Sequence, residues 1–116
     1  MNIQLFGKSK CFNTRTAERF FKERKIKINY IDITDKGISS REFDSILSNI
    51  KDVDLLFDKK SKLYEKFNIA YILRTTEDKK QILIENPAMF ITPIVRECDS
   101  KKCTIGVQSD IWKSWL

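Results

Sequence analysis

Histidine is absent from this chain of 116 residues, and that absence excludes more than any other. Ser-His-Asp and Cys-His catalysis, imidazole metal sites and His proton shuttles are all closed to it. Glycine is scarce as well, and three residues cannot build a Gly-rich phosphate loop. The three cysteines, Cys11, Cys98 and Cys103, lack CxxC spacing, which argues against a structural zinc site, so no metal is expected. Their odd number argues against a closed disulfide framework and suits a reducing compartment. No apolar run approaches the length of a membrane span. The first residues read as a strand, without the apolar core and small-residue cleavage site of a signal peptide. The expectation is a cytoplasmic protein that makes no membrane contact.

What is present reads as one globular domain over residues 1–116, long enough to bury a core and too short for two. Apolar residues make up 41% and charged residues 33% of the chain, ordinary values that imply no long disordered tail. The net charge of +6 with a pI near 9.3 is compatible with anionic partners. The cations are interleaved with Asp and Glu, however, and the aromatic residues lie on apolar faces instead of alternating with basic ones. No direct nucleic-acid contact is expected, and most lysines read as solvated surface.

The informative stretch is Phe6-Gly7-Lys8-Ser9-Lys10-Cys11-Phe12-Asn13-Thr14-Arg15. An apolar strand over residues 2–6 runs into a Gly-containing turn, which delivers Cys11 where a helix begins. That helix, from Asn13 to about Lys25, carries Ala17, Phe20 and Phe21 as its apolar stripe. A cysteine at a helix start faces unpaired N–H groups and the positive end of the macrodipole, and both favour the thiolate. Lys8, Lys10 and Arg15 add positive charge nearby. A free thiol with a pKa of ~8.5 is only a few per cent ionised at pH 7, so a lowered value changes its reactivity. Cys11 therefore reads as a reactive cysteine; the alternative is a small apolar residue at a strand–helix junction.

Residues 26–33 are β-branched with apolar residues on both faces, which predicts an interior or near-interior strand and a parallel βαβ unit. Ser39-Ser40-Arg41-Glu42 is a capping box opening a helix with Phe43, Ile46, Leu47 and Ile50 on one face. After a short apolar connection at 53–57, Lys60 to Phe67 reads as a short helix with Leu63, Tyr64 and Phe67 inward. Thr75 or Thr76 caps a further helix that buries Ile82 and Leu83 and stops at Asn86-Pro87. Residues 92–97 form a strand with a proline near its start. Cys98 to Cys103 make a hairpin connection into residues 104–107, where a bridge between the two cysteines is geometrically conceivable. Ser109 is expected to cap a last helix carrying Ile111, Trp112, Trp115 and Leu116.

The order β-α-β, helices, β-β-α is that of an α/β, thioredoxin-like fold of the glutaredoxin type, a four-stranded mixed sheet with a helical insertion. Along its whole length the chain resembles the arsenate-reductase-like (ArsC/Spx) branch of thioredoxin-fold proteins. That resemblance rests on Cys11 with Thr14 and Arg15 after it, on Lys60-Ser61-Lys62-Leu63-Tyr64-Glu65-Lys66-Phe67-Asn68-Ile69, and on Glu85-Asn86-Pro87. Pro93-Ile94-Val95 and Ile105-Gly106-Val107 complete it. It implies that Pro93 is a cis-proline facing Cys11, and that residues of about 39–90 form the insert. It implies an oxyanion site as well, with Lys8, Lys10, Lys60, Thr92, Pro93 and Arg96 as candidate contacts. The chain departs from the family at Thr92, where arsenate reductases of this type carry an arginine, and at Thr14, where many Spx regulators have a second cysteine.

The function implied is a thiol-dependent oxidoreductase using Cys11 as its single nucleophile, with Thr14 donating to the thiolate and Arg15 stabilising charge. Its substrate would be a small oxyanion or a thiol compound. A mixed-disulfide or arseno-cysteine intermediate would be resolved by glutathione or by a glutaredoxin-like thiol-transfer protein, with no bound cofactor. The alternative is an Spx-like regulator that contacts RNA polymerase without enzymatic activity.

Overall fold

A computed structural model describes residues 2–66 and 75–116. In chain order the elements are β1 (Ile3–Gly7), α1 (Phe12–Glu23), β2 (Ile28–Asp32), α2 (Ile33–Lys36) and α3 (Ser40–Ile50). A 3-10 turn at Val53–Leu56 precedes α4 (Lys62–Lys66) and α5 (Thr76–Glu85), and a second, at Pro87–Met89, follows them. The chain closes with β3 (Ile94–Glu97), β4 (Lys102–Ile105) and α6 (Ser109–Ser114). It divides into two compact units, one running up to Asp32 and resuming over Thr92–Leu116, the other Ile33–Ile91.

The first unit is a four-stranded mixed sheet in the order β2-β1-β3-β4. β1 pairs parallel with β2 and antiparallel with β3, which pairs antiparallel with β4. This is the sheet that the element order predicts. Alternation along β1 and β3 sends Ile3, Leu5 and Val95 to one face, where they meet Ala17, Phe20 and Phe21 of α1 and Trp112 of α6. The rings of Phe20, Phe21 and Trp112 stand 5.0 to 5.2 Å apart between centroids. Each such buried aromatic side chain is worth roughly 1.5–3 kcal/mol of hydrophobic stabilisation. The Trp112 indole N–H, buried in this cluster, donates to Thr104 Oγ1 at 2.8 Å.

Two expectations change in this unit. β2 is an edge strand, not an interior one: apolar residues on both faces report what lies above and below a strand, and say nothing of its two edges. The last helix is entered through Gln108, whose side-chain amide donates to the Ile105 carbonyl at 3.2 Å, while Ser109 is already its first residue. Of its apolar residues Trp112 is buried and Trp115 partly so, and Ile111 and Leu116 face solvent. So short a helix has one inward stripe, and Ile111 lies about 100° round from Trp112.

The second unit is helical. Ser39 and Glu42 form the predicted capping box on α3, which buries Phe43 and Ile46. Thr75 and Asp78 do the same for α5, which buries Leu83 and ends just before Pro87. Leu63 and Tyr64 of α4 are half-buried; the expected inward position of Phe67 lies outside the described residues. A bridge between Phe57 and Phe90 and the bond from Ile91 N–H to the Leu56 carbonyl, 2.8 Å, tie the last residues of the unit to its middle.

At the end of the β3–β4 hairpin, Glu97 is buried and bonded throughout. Its carboxylate accepts from the Ser100 hydroxyl and from the N–H groups of Ser100 at 2.8 Å, Asp99 at 3.2 Å and Asn2 at 3.4 Å. The Ser100 hydroxyl does most to lower the Glu97 carboxyl, loss of hydration opposes it, and the three amides complete a shift down to about 2. A lowered folded-state pKa means stability that is complete above the ordinary carboxylate value and fades as pH falls through about 2. Glu97→Gln should therefore flatten the stability curve measured by urea unfolding between roughly pH 4.5 and the acid limit; a variant keeping the native slope would refute this. Thr104→Val should cost about 1–3 kcal/mol in the same measurement, because it leaves a buried indole donor unpaired.

Candidate functional site

β1 ends at Gly7, and a tight turn follows in which Cys11 N–H donates to the Lys8 carbonyl at 3.0 Å. Cys11 is the residue that caps α1, with extended backbone angles of φ −87 and ψ 120. Its carbonyl accepts from Arg15 N–H at 3.2 Å and so starts the helical ladder. Its side chain makes no ordinary capping bond, and the residue is partly exposed and in no disulfide.

Two hydroxyls address that sulfur. Thr14, fully buried one turn along α1, accepts from Lys8 N–H at 3.3 Å, and its hydroxyl lowers the Cys11 thiol. Thr92 comes from the start of β3, and its Oγ1 donates to Cys11 Sγ at 3.2 Å. The thiol in turn reaches the Thr92 carbonyl at 3.9 Å. The Thr92–Pro93 peptide bond is cis, and Pro93 is buried with its carbonyl accepting from Gly106 N–H at 2.9 Å.

Loss of hydration is the largest single influence on the Cys11 thiol and raises its pKa. The hydroxyls of Thr14 and Thr92 and the amides of Thr14 and Asn13 together outweigh it and hold the thiol below its ordinary value. The leading groups that lower it are hydroxyls and amides, and Lys8, Lys10 and Arg15 are not among them. Lys10 and Arg15 are exposed, and the Arg15 guanidinium donates to the Ser9 carbonyl at 3.3 Å. Charges that stand in water are screened, whereas dipoles in contact with the sulfur are not.

The remaining candidates are Arg96 and Lys60, with the two other cysteines. Arg96 pairs with Gln4 across β3 and β1 and donates to Gln4 Oε1 at 2.8 Å. Alternation sends it to the face opposite Val95 and the α1 core. Lys60 belongs to the helical unit, where its exposed residue follows Asp58 and donates its N–H to that carboxylate at 3.1 Å. Cys98 and Cys103 are both unpaired. Cys103 stands opposite Arg96, and burial pushes its thiol up to about 12. Cys98 lies beyond the far end of β3, roughly 16 Å along the strand from Pro93. Among the described residues no cluster of Cys, Asp and Glu could hold a metal ion.

Two features of the site were not read from the sequence. Thr92 figures in the sequence as a candidate oxyanion contact at the place of the family's arginine, and no local pattern marks its hydroxyl as a partner for a sulfur so distant in the chain. Gly7 marked a turn, yet its role is spatial: a Cβ there would fall 2.3 Å from Thr14 Cγ2 and 3.1 Å from Tyr30 Cε2.

The sequence profile of the ArsC family matches residues 6–115. The chain belongs to the ArsC family. Among the relatives of this ArsC-family chain is the global transcriptional regulator Spx of Staphylococcus aureus, 26% identical over 115 residues, covering 98% of this chain and 86% of the regulator. An ArsC-family-related protein of Bacteroides fragilis superimposes with a TM-score of 0.90 at 17% identity, covering 100% of this chain and 98% of that one. The arsenate reductase of Vibrio cholerae gives 0.88 at 17% identity with the same coverage. These likenesses establish the thioredoxin-like fold of the ArsC family for this chain. Among the described residues no helix is long and apolar enough to cross a membrane.

A pH series of iodoacetamide alkylation should give Cys11 an apparent pKa below the ~8.5 of a free thiol. Thr92→Val should move that profile upward and slow alkylation at pH 7 a few-fold, the smaller thiolate fraction being partly offset by higher intrinsic nucleophilicity. A Thr92→Val profile that overlays the native one would show that the hydroxyl does not act on the sulfur.

Proposed function

We propose that this ArsC-family chain is a monothiol oxidoreductase whose substrate is an oxidised sulfur compound. The observation that carries the reading is the hydrogen bond from Thr92 Oγ1 to Cys11 Sγ, 3.2 Å, at the start of a helix. The Cys11 thiolate attacks one sulfur of a disulfide R–S–S–R′, forming Cys11–S–S–R and releasing R′–S⁻. An external thiolate, glutathione or the cysteine of a glutaredoxin-like protein, then attacks the sulfur bound to R and returns Cys11 as thiolate. Thr14 and Thr92 stabilise the anion at the beginning and the end of this cycle, when Cys11 is the attacking or leaving group. The reading suits a reducing cytoplasm, where three unpaired cysteines persist.

The groups that lower the Cys11 thiol are neutral hydroxyls and amides. They suit a singly charged sulfur better than a multiply charged oxyanion such as arsenate, which planar guanidinium groups bind best. Arsenate and its arseno-cysteine intermediate therefore rank below disulfides as chemistry for this site.

A second reading follows from the 26% identity to Spx regulators over nearly the whole chain. In it the protein is a regulator that contacts RNA polymerase, and Thr14 leaves it without a local disulfide switch.

The test is a coupled assay with hydroxyethyl disulfide or arsenate as substrate, glutathione as reductant, and mass spectrometry of trapped intermediates. We expect a glutathione adduct confined to Cys11, turnover of the disulfide exceeding that of arsenate at least tenfold, and loss of both in Cys11→Ser. A protein that forms no adduct and turns over neither substrate, yet retains RNA polymerase from a cell extract, would replace the enzymatic reading with the regulatory one.

A further inference from the structure

Gly7 is extended β1 backbone that any residue could adopt, since its φ lies outside the left-handed region. What demands glycine there is space. Two side chains converge on its bare Cα: a Cβ would meet Thr14 Cγ2 at 2.3 Å, Thr14 Oγ1 at 3.0 Å and Tyr30 Cε2 at 3.1 Å. Contacts under 3.0 Å are essentially never seen for a real Cβ, so something would have to shift, and Thr14 is fully buried on α1. Tyr30 arrives from β2, where it pairs with Leu5, and packs partly buried against the sheet core. A third restraint is the bond from Lys8 N–H to Thr14 Oγ1. Thr14 and the Tyr30 ring thus share the space over one bare Cα, an amide holds the Thr14 hydroxyl oxygen, and that hydroxyl is one of the two that lower the Cys11 thiol.

We infer that Tyr30 is a positioning residue for Cys11: its ring and the bare Cα of Gly7 hold Thr14 in the rotamer that presents its hydroxyl to the sulfur. The inference rests on Cys11 being the nucleophile. The ring acts by shape. Around the phenol stand Asp32 on its own strand, Glu18 from α1 and Cys11 from the loop. Loss of hydration first, and then these three charges, raise the phenol above its ordinary value. It stays neutral while Cys11 ionises, so its hydroxyl adds no charge to the site over that range.

Ring and hydroxyl are therefore separable. The measurement is the pH dependence of iodoacetamide alkylation at Cys11, resolved from Cys98 and Cys103 by peptide mass spectrometry, with far-UV circular dichroism and urea midpoints to establish folding. Tyr30→Phe should reproduce the native profile. Tyr30→Ala and Gly7→Ala should each move it to higher pH and slow alkylation at pH 7 several-fold. Tyr30→Ala should add nothing once Thr14→Val has been made, because both remove the same contact. If Tyr30→Ala does not fold, Tyr30→Leu, which keeps bulk without the ring, takes its place.

The inference is overturned if Tyr30→Phe shifts the profile as far as Tyr30→Ala, for then the phenol acts directly. It is overturned if the Tyr30→Ala shift persists undiminished beside Thr14→Val, or if folded Tyr30→Ala and Gly7→Ala both titrate like the native protein. No substrate enters the assay, so its failure is distinct from failure of the oxidoreductase reading. A native Cys11 that titrates as an ordinary thiol sinks the premise; a lowered one indifferent to residues 7 and 30 sinks only the inference about Tyr30.

Discussion

One hydroxyl proton aimed at one sulfur joins the two halves of the sheet unit. Thr92 and Cys11 are 81 positions apart in sequence, and they meet because β1 and β3 are paired with Phe6 opposite Ile94 and Leu5 opposite Val95. That register is fixed in turn by burial: slipping either strand by one residue would carry Ile3, Leu5 and Val95 off the face that packs on Phe20, Phe21 and Trp112. The core's contribution to chemistry is therefore indirect and definite. It sets the distance between two loop ends to the length of a hydrogen bond.

The electrostatics of the site follow from contact, not from net charge. Six excess positive charges suggest an anion stabilised by lysine and arginine, yet the groups that lead in lowering the Cys11 thiol are hydroxyls and amides. Such dipoles are fixed by the fold, and added salt screens them far less than it screens exposed side chains. Partial burial works against the anion at the same time. The sulfur is balanced between losing water and gaining donors, so small displacements of Thr14 or Thr92 act on it with leverage.

What the sequence made legible was local. Cys11 at a strand–helix junction, the Ala17, Phe20 and Phe21 stripe, the Ser39–Glu42 box and a threonine cap at Thr75 or Thr76 can all be read from spacings of a few residues; all are present, the last as Thr75 in a box with Asp78. The element order carried the sheet's composition as well. What could not be read depends on pairing at a distance: the edge position of β2, the partnership of Thr92 with Cys11, and the empty Cα of Gly7, which has meaning only once Thr14 and Tyr30 occupy the space beside it. Nor does proximity in sequence fix where a long side chain points: Arg15, four residues past Cys11, donates to the Ser9 carbonyl.

The placement of the other two cysteines carries a consequence of its own. Cys98 and Cys103 sit on the β3–β4 hairpin, away from the strand end that meets Cys11, and Cys103 is too reluctant to ionise to serve as a ready nucleophile. In the thiol-exchange reading, Cys11 therefore has no sulfur of its own chain to close upon, and its oxidised form always carries a passenger. Such a protein has no private redox potential in the sense that a dithiol pair has one. Its state at any moment is a mass-action record of which thiols surround it and in what amounts.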